Sequence, residues 1–325
     1  AITPVIMYLI GYIVAAIGPG CVPALGIAAA LSLPLGKSTG YNSVMLAAIG
    51  QIGSMAGRFS PITPESVLIY NLASEQGITD YQTHTLIYAT ITTIVLSIII
   101  FLVFKGFQIK EPQSKEKEIL PAFTQKQIIT LVGFLAMIVA SAFFKRNVGL
   151  ISFAVAVVLL LLNVADEKVV IKGVPWSTLL MVTGIGMLMN IVSDVGGVAL
   201  MSNGLASIMT PKTAVAIQGF SAGILSWFSS AIGVVWPTMV PTVGAIAEQV
   251  GVKPEGLITI MCLTASFAGF SPASTGGSLI MAANATDPEF TKEKENKLFI
   301  QMFGLSGLLL LLTVLAGLLG LYNIL

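Results

Sequence analysis

Long uncharged apolar stretches alternate with short polar segments along this chain. The stretch at residues 86–104 has no charged residue over 19 positions, and residues 148–162 and 298–321 show the same pattern. An α-helix of about 20 apolar residues crosses the hydrocarbon core of a bilayer. The pattern therefore predicts several membrane-spanning helices and an all-α, polytopic membrane protein.

The composition agrees with this prediction. The 325 residues are 55% hydrophobic and 10% charged, with a mean hydropathy of +0.93, whereas soluble domains carry about 25% charged residues. The net charge of +1 gives no reason to expect a nucleic-acid partner. Cys21 and Cys262, the only cysteines, lie in separate apolar segments without metal-ligand spacing, and we interpret them as small core residues.

Two of the apolar stretches are interrupted by nearly the same short sequence. Residues 54–61 are SMAGRFSP and residues 266–272 are SFAGFSP, so Arg58 is the only insertion. Proline removes a backbone hydrogen bond from a helix, and lipid cannot satisfy the groups that are freed. Paired interruptions in two halves of a chain indicate a transporter binding site at mid-membrane depth. The alternative is a pair of proline kinks that neighbouring helices satisfy.

The two interruptions belong to a predicted internal repeat. Ser60 and Ser271 are 211 positions apart, and the same offset places residues 18–19 over residues 229–230. Each repeat is predicted to contain a hairpin with a broken tip, then a broken helix, then an uninterrupted span. The predicted hairpins cover residues 4–36 and 211–250, the broken helices 42–72 and 256–284, and the spans 81–104 and 298–321.

The topology prediction follows from lengths and charges. Neither arm of a hairpin is expected to be long enough to cross alone, which predicts re-entrant hairpins. The predicted domains are a first repeat at 1–105, a cytoplasmic loop at 106–126, scaffold-type helices at 127–210 and a second repeat at 211–325. With that loop in the cytoplasm, 11 of the 16 Lys and Arg residues lie inside, four lie outside and Arg58 lies within the membrane. The hairpins then open to opposite sides, so the repeats are inverted.

The breaks and the hairpin tips supply the candidate ligands, because half-helix N-termini favour anions and free carbonyl and hydroxyl oxygens suit Na⁺. The predicted substrate-binding residues are Arg58, Ser60, Pro61, Thr63, Ser229, Ser230, Ser271, Pro272, Ser274 and Thr275. The predicted ion-binding residues are Gly18, Gly20, Gly57, Ser229, Gly269 and Thr275, with no metal expected other than Na⁺. For the glycines of the tips, close helix packing is an equal alternative.

Arg58 is the most informative single residue, because a guanidinium within a membrane indicates a functional site. In one interpretation it binds a substrate carboxylate through two hydrogen bonds. In the other it pairs with Glu65 across the break. The Gly-Gly pair at residues 276–277 is expected to let a ligand approach the backbone. Trp227 and Trp236 flank the second tip and either shape the site or pack in the core.

In their order these features resemble the ion transporter superfamily, in particular the divalent anion/sodium symporter family and the malonate/dicarboxylate carriers. The resemblance covers essentially the whole chain, and residues 60–64 (SPITP) and 271–275 (SPAST) match the family's broken-helix motif. The tips at residues 18–20 and 229–231 depart from the family's Ser-Asn-Thr. The resemblance implies an elevator-type homodimer with a fixed scaffold and a mobile transport domain. It also implies that this chain lacks scaffold helices before its first hairpin.

Together these observations predict a secondary active transporter of a small organic anion, a di- or tricarboxylate such as malonate or succinate, coupled to Na⁺ or H⁺. The expected location is the bacterial plasma membrane. The alternatives are a cation/proton or arsenite-type antiporter that relies on Glu65, and an inactive fragment. An enzyme is not expected, because no span contains two aspartates and the only histidine, His84, lies at a helix end. No cofactor is expected beyond Na⁺ as a coupling ion.

Overall fold

The computed structural model describes residues 2–109, 123–144, 148–174, 176–287 and 290–323, and within these ranges the regular structure is helical, without strands. This confirms the all-α class. In the same ranges five helices are long and apolar enough to cross a membrane. A sixth span results if Thr183–Asp194 and Gly197–Ser207, bent by 81°, count as one. The chain divides into two compact units: Ala1–Ser114 with Met181–Leu325, and Lys115–Leu180.

The helices follow the order that the repeats predict. The first repeat contains α1 (Thr3–Ala16), α2 (Cys21–Thr39), α3 (Ser43–Gly57), α4 (Pro64–Ser74) and α5 (Gln82–Val103). The middle of the chain contains α6 (Gln125–Phe144), α7 (Val148–Leu161), α8 (Glu167–Gly173), α9 (Trp176–Asp194) and α10 (Gly197–Ser207). The second repeat contains α11 (Ala214–Trp227), a π-helix (Ala231–Val235), α12 (Trp236–Met239), α13 (Val243–Val250), α14 (Pro254–Phe267), α15 (Thr275–Ala285) and α16 (Lys292–Leu318).

The first break separates α3 from α4 at a short turn. Pro61 has no N–H to donate to the carbonyl of Gly57, and the N–H of Ser60 donates to that carbonyl instead, at 3.0 Å. The N–H of Thr63 then donates to the carbonyl of Ser60 at 3.1 Å. The helical ladder therefore stops at the proline and restarts at α4.

The second break, between α14 and α15, has the same backbone hydrogen bonds. The N–H of Ser271, which precedes Pro272, donates to the carbonyl of Ala268 at 3.0 Å, and the N–H of Ser274 donates to the carbonyl of Ser271 at 2.8 Å. Each of these donors and acceptors lies 211 positions after its equivalent in the first break. The internal repeat thus extends from sequence to hydrogen bonding.

α1 packs on α3 at a distance that only glycine permits. A Cβ at Gly53 would lie 2.2 Å from the carbonyl oxygen of Tyr8, and a Cβ at Gly57 would lie 2.2 Å from that of Tyr12. Small residues let helix backbones approach one another in this way. In the second repeat α11 packs on α14, so the first arm of each hairpin lies against the first half of its own broken helix.

Each hairpin also contacts the second half-helix of the other repeat. α2 packs on α15, and Lys37 forms an ion pair with Asp287 at 3.1 Å. At the end of α4, the side-chain amide of Gln76 donates to the carbonyl of Val240 at 2.9 Å, and the N–H of Gly244 donates to Gln76 Oε1 at 2.8 Å. The two repeats therefore share one core, with the two breaks inside it.

The predicted lengths of the hairpin arms and the predicted start of the last span are wrong. The helix Cys21–Thr39 has 19 residues and the segment Ala231–Val250 has 20, so each is long and apolar enough to cross a membrane, whereas the sequence predicts arms too short to cross. α16 begins before residue 298, because Thr291 accepts a hydrogen bond from the N–H of Lys294 and starts the helix in a charged segment. Hydropathy does not detect such a start.

The second unit, Lys115–Leu180, contains α6, α7 and α8. α6 packs on α7, and Ser152 Oγ donates a hydrogen bond to Met137 Sδ at 3.1 Å. Most of the predicted loop at 106–126 lies outside the described residues. The Lys-Arg pair at residues 145–146, which belongs to the four charges counted on the outside, also lies outside them. The domain boundaries, the re-entrant hairpins and the inverted orientation stay predictions.

Candidate functional site

Both hairpin tips and both breaks meet around one small cavity in the first unit. Its volume is about 60 Å³. The lining residues come from four segments: residues 21–25 after the first tip, 55–58 at the first break, 226–232 at the second tip and 265–276 through the second break. The two interruptions that the sequence identifies as a pair therefore lie together.

Arg58 supplies the charge at this cavity. Its side chain is 8% exposed and lies at the end of α3. Nη2 contacts Glu65 Oε1 at 3.4 Å, and Nη1 donates to Ser266 Oγ at 3.3 Å. Cζ lies 4.6 Å from the centre of the Trp236 ring, within the range of a cation–π interaction. Both repeats therefore hold the guanidinium, and its pairing with Glu65 is observed.

The ion pair retains capacity for further hydrogen bonds. Within the part of the chain that the structure describes, Arg58 Nε and Glu65 Oε2 are buried and have no hydrogen-bond partner. A guanidinium has five N–H donors, and the contact with Glu65 is single and long rather than bidentate. Arg58 can therefore bind a second carboxylate, and the two interpretations of Arg58 are compatible.

Glu65 connects the first break to the first hairpin tip. α2 begins at Cys21, after Gly20, which has a φ of +79° and no side chain to cap the helix. The N–H of Cys21 donates instead to Glu65 Oε1 at 2.8 Å. A Cβ at residue 20 would lie 2.4 Å from Glu65 Oε2, and the positive φ also favours glycine at this position. A carboxylate stabilises a helix N-terminus, and Glu65 caps α2 from another helix.

The helix starts around the cavity differ in their caps. Thr63 Oγ1 accepts a hydrogen bond from the N–H of Ser66 at 3.3 Å and caps α4. Ser230 Oγ accepts one from the N–H of Gly233 at 3.1 Å and caps the π-helix after the second tip. Ser274, the equivalent of Thr63, makes no capping hydrogen bond at the start of α15. The N–H groups that begin α15 are therefore available to an anion.

The structure divides the predicted site residues into two groups. Five of them line the cavity: Arg58, Ser230, Gly269, Ser274 and Thr275. The serine and the proline of each break form its turn and are not part of the lining: Ser60, Pro61, Ser271 and Pro272. Thr63 is fully buried and donates hydrogen bonds to the carbonyls of Ser60, at 2.9 Å, and Arg58, so it stabilises the turn that positions Arg58.

The remaining predicted residues lie outside the lining as well. Ser229 Oγ donates to the carbonyl of Leu225 at 2.6 Å, within its own hairpin. Gly57 lies at the contact between α1 and α3, and its carbonyl already accepts a hydrogen bond from the N–H of residue 60. Gly18 and Gly20 have φ values of +137° and +79°, which glycine adopts without strain. In this structure these glycines serve packing and the turn, and their binding of an ion stays a prediction.

The Gly-Gly pair at residues 276–277 packs tightly against the second break, and Gly276 also lines the cavity. A Cβ at Gly276 would lie 2.7 Å from the carbonyl oxygen of Gly269, and a Cβ at Gly277 would lie 2.3 Å from that of Ser271. The backbone of the break occupies the space that a side chain would need at either position, and the approach of a ligand to the backbone here stays a prediction. These glycines allow the break to fold back against α15.

Several polar groups inside the half-helices also belong to the site or lie beside it, and the sequence pattern did not predict them. Ser266 accepts the hydrogen bond from Arg58 and lines the cavity. Ser226 lines the cavity too. Gln51 is fully buried, and its Nε2 donates to the carbonyl of Gly276 at 3.0 Å, while its Oε1 has no partner among the described residues. The available signal is a polar residue within an apolar helix, but this signal does not identify the neighbour that the residue faces.

Of the two tryptophans beside the second tip and the two cysteines, one of each lies at the site and the other lies away from it. Trp236 is fully buried beneath Arg58 and shapes the site, whereas Trp227 Nε1 donates to Ser306 Oγ at 2.8 Å and packs outside the lining. Cys21 is buried, as predicted for a core residue, and it also lines the cavity. Cys262 is buried and does not line it.

Comparison with known protein families adds a finding to this geometry. The model of a family described as citrate transporter (CitMHS) matches residues 2–264. This chain belongs to the citrate transporter family. The match contains the whole first repeat and the second repeat as far as α14, so the second break, α15 and α16 lie beyond it. A comparison with curated proteins found no match.

Membership of the citrate transporter family confirms the coarse prediction from the sequence. The chain is a multi-pass membrane protein of a citrate- or carboxylate-type transporter family, and such a family indicates a carrier rather than an enzyme. The resemblance to the ion transporter superfamily is confirmed at this level. The finer assignment to the divalent anion/sodium symporters or the malonate/dicarboxylate carriers stays a prediction.

Proposed function

We propose that this chain is a secondary active transporter that binds citrate, or a related carboxylate such as malonate or succinate, at the cavity between its two breaks. The convergence of four segments on Arg58 and on the uncapped start of α15 carries this proposal. A guanidinium and a helix N-terminus both bind carboxylates through charge-assisted hydrogen bonds. Burial within the protein makes both interactions stronger than they are in water.

A coupling cation follows from the charge balance. Glu65 already neutralises Arg58, so a citrate anion at the cavity would bring uncompensated negative charge into the membrane interior, which is unfavourable. We propose that Na⁺ or H⁺ enters with the substrate. Ser230, Gly269 and Ser274 line the cavity, and residues of these types supply the hydroxyl and carbonyl oxygens that Na⁺ takes as ligands at broken helices.

Transport requires the cavity to enlarge. Its volume of about 60 Å³ is far below the roughly 300–1,000 Å³ of sites for small organic ligands. A segment that lines the cavity must therefore move to admit citrate, which supports alternating access between a closed and an open state. We propose an elevator-type homodimer in the bacterial plasma membrane as the form in which this happens.

Uptake into proteoliposomes tests the proposal. Labelled citrate, malonate and succinate are supplied with an inward Na⁺ gradient, with an inward H⁺ gradient, or with neither. We expect gradient-driven uptake of at least one of them, its loss in Arg58→Met and its retention in Lys37→Met, which removes a cation from a partly exposed pair. Absence of uptake under every gradient would contradict the proposal. A pH-dependent Na⁺ flux that is lost in Glu65→Gln would favour an antiporter instead.

A further inference from the structure

We propose that Glu65 is an internal carboxylate that sets how tightly the cavity binds a substrate carboxylate. The inference rests on the proposed function and deepens it, because it names the residue that determines anion affinity. It predicts that removal of the Glu65 charge strengthens substrate binding, which is the opposite of the usual effect of a mutation beside a binding site.

The first step is geometric. Arg58 and Cys21 line the cavity, whereas Glu65 does not. Glu65 Oε1 nevertheless contacts both of them, at 3.4 Å from Arg58 Nη2 and 2.8 Å from the backbone nitrogen of Cys21. From behind the wall of the cavity, a carboxylate of the protein thus occupies two groups that attract anions, a guanidinium and the N-terminus of α2.

The second step is electrostatic. The side chains of Glu65 and Arg58 are 4% and 8% exposed, so water screens their interaction poorly. An incoming carboxylate meets a guanidinium that is already neutralised, and it is repelled by the like charge of Glu65. Without that charge, Arg58 would be a buried and uncompensated cation, which is strongly unfavourable. A bound substrate would then relieve this penalty.

The third step is the asymmetry between the repeats. The offset of 211 places Gly276 at the position equivalent to Glu65, and the start of α15 has no capping side chain. The first repeat therefore supplies its own carboxylate at its second half-helix, whereas Gly276 brings no carboxylate to the cavity that it lines, and a substrate can supply one there. This asymmetry gives the bound substrate one orientation between the two breaks.

The test measures carboxylate affinity with Glu65 changed. Isothermal titration calorimetry on the purified full chain compares the wild type with Glu65→Gln for acetate, succinate and citrate. Glutamine keeps a side-chain oxygen for the N–H of Cys21 and loses the charge. We expect the dissociation constant for citrate to fall about tenfold or more in Glu65→Gln, since a tenfold change corresponds to about 1.4 kcal/mol.

Three further variants separate this effect from a change in folding. Glu65→Asp keeps the charge and should therefore not show the gain in affinity. Glu255→Gln removes a glutamate from the first turn of α14, outside the cavity lining, and should also leave affinity unchanged. The double variant Arg58→Gln with Glu65→Gln should lose the gain, because the cation that the substrate neutralises is gone.

Each outcome bears on the proposal. Tighter binding in Glu65→Gln that disappears in the double variant supports it. Equal affinity in the wild type and Glu65→Gln, or weaker binding in Glu65→Gln with wild-type affinity in Glu65→Asp, overturns it and leaves the proposed transport function standing. Failure of every variant to bind any of the three carboxylates overturns both.

Discussion

Thr63 and Ser274 occupy equivalent positions in the two breaks, yet alanine should affect them in opposite ways. Thr63 caps α4 and is fully buried. Ser274 begins α15 without capping it and lines the cavity. Thr63→Ala should therefore reduce stability with little effect on substrate affinity. Ser274→Ala should reduce substrate affinity with little effect on stability.

The magnitudes follow from the hydrogen bonds that each hydroxyl makes. Loss of a Thr N-cap destabilises by about 1 kcal/mol. The single hydroxyl proton of Thr63 is also shared between the carbonyls of Ser60 and Arg58, and this one donated hydrogen bond adds about 1 kcal/mol. Thr63→Ala should lower the free energy of unfolding by about 2 kcal/mol. For Ser274→Ala we expect a change within about 0.5 kcal/mol. A hydrogen bond to a charged group contributes roughly 1.5–3 kcal/mol, so the affinity for citrate should fall roughly 10- to 150-fold.

Equilibrium unfolding in mixed micelles measures the first quantity, and calorimetric titration with citrate measures the second. Thr63→Ser is the matched control, since it restores a hydroxyl at the cap and should recover most of the stability. The reasoning is refuted if both alanine variants lose the same stability, or if Ser274→Ala binds citrate as tightly as the wild type.

Two further predictions concern packing. Gly57→Ala should lower the free energy of unfolding by about 1–3 kcal/mol, because its Cβ would lie 2.2 Å from a carbonyl oxygen. Gly26→Ala on α2 is the control and should be neutral or slightly stabilising, because among the described residues its Cβ would meet no packing neighbour within 4 Å. Equal effects of the two substitutions in unfolding titrations would contradict the packing. Trp236→Ala should lower it by about 3–5 kcal/mol, whereas Trp236→Phe should have a much smaller effect, since it keeps a ring beneath Arg58 and the Nε1 that it removes has no partner among the described residues.

The breaks could be predicted from the sequence because their cause is local. Pro61 and Pro272 cannot donate a backbone hydrogen bond, and the effect on the preceding helix follows wherever the rest of the chain lies. The order of hairpin, broken helix and span follows from hydropathy in the same way. α5 (Gln82–Val103) agrees closely with the predicted span at 81–104.

The chemistry of the site depends on contacts between residues that are far apart in the chain, and these contacts cannot be predicted from the local sequence pattern. Thr63 and Ser274 are both hydroxyl residues at the same position of a repeat, yet only Thr63 caps its helix. The sequence predicts Glu65 as a partner of Arg58 across the break. Its bond to Cys21, 44 positions away, depends on the fold of the hairpin.

Cross-linking between the repeats tests most directly the claim that the two breaks enclose one substrate site. In a Cys262→Ala background, Ser274→Cys adds a thiol from the second repeat to a cavity that Cys21 lines from the first. We predict rapid intramolecular cross-linking by a short bifunctional thiol reagent, and slower cross-linking when citrate is present. Ser278→Cys, on the exposed side of α15 and outside the lining, should cross-link poorly. No cross-link from Ser274→Cys, or a rate that citrate does not change, would contradict the account.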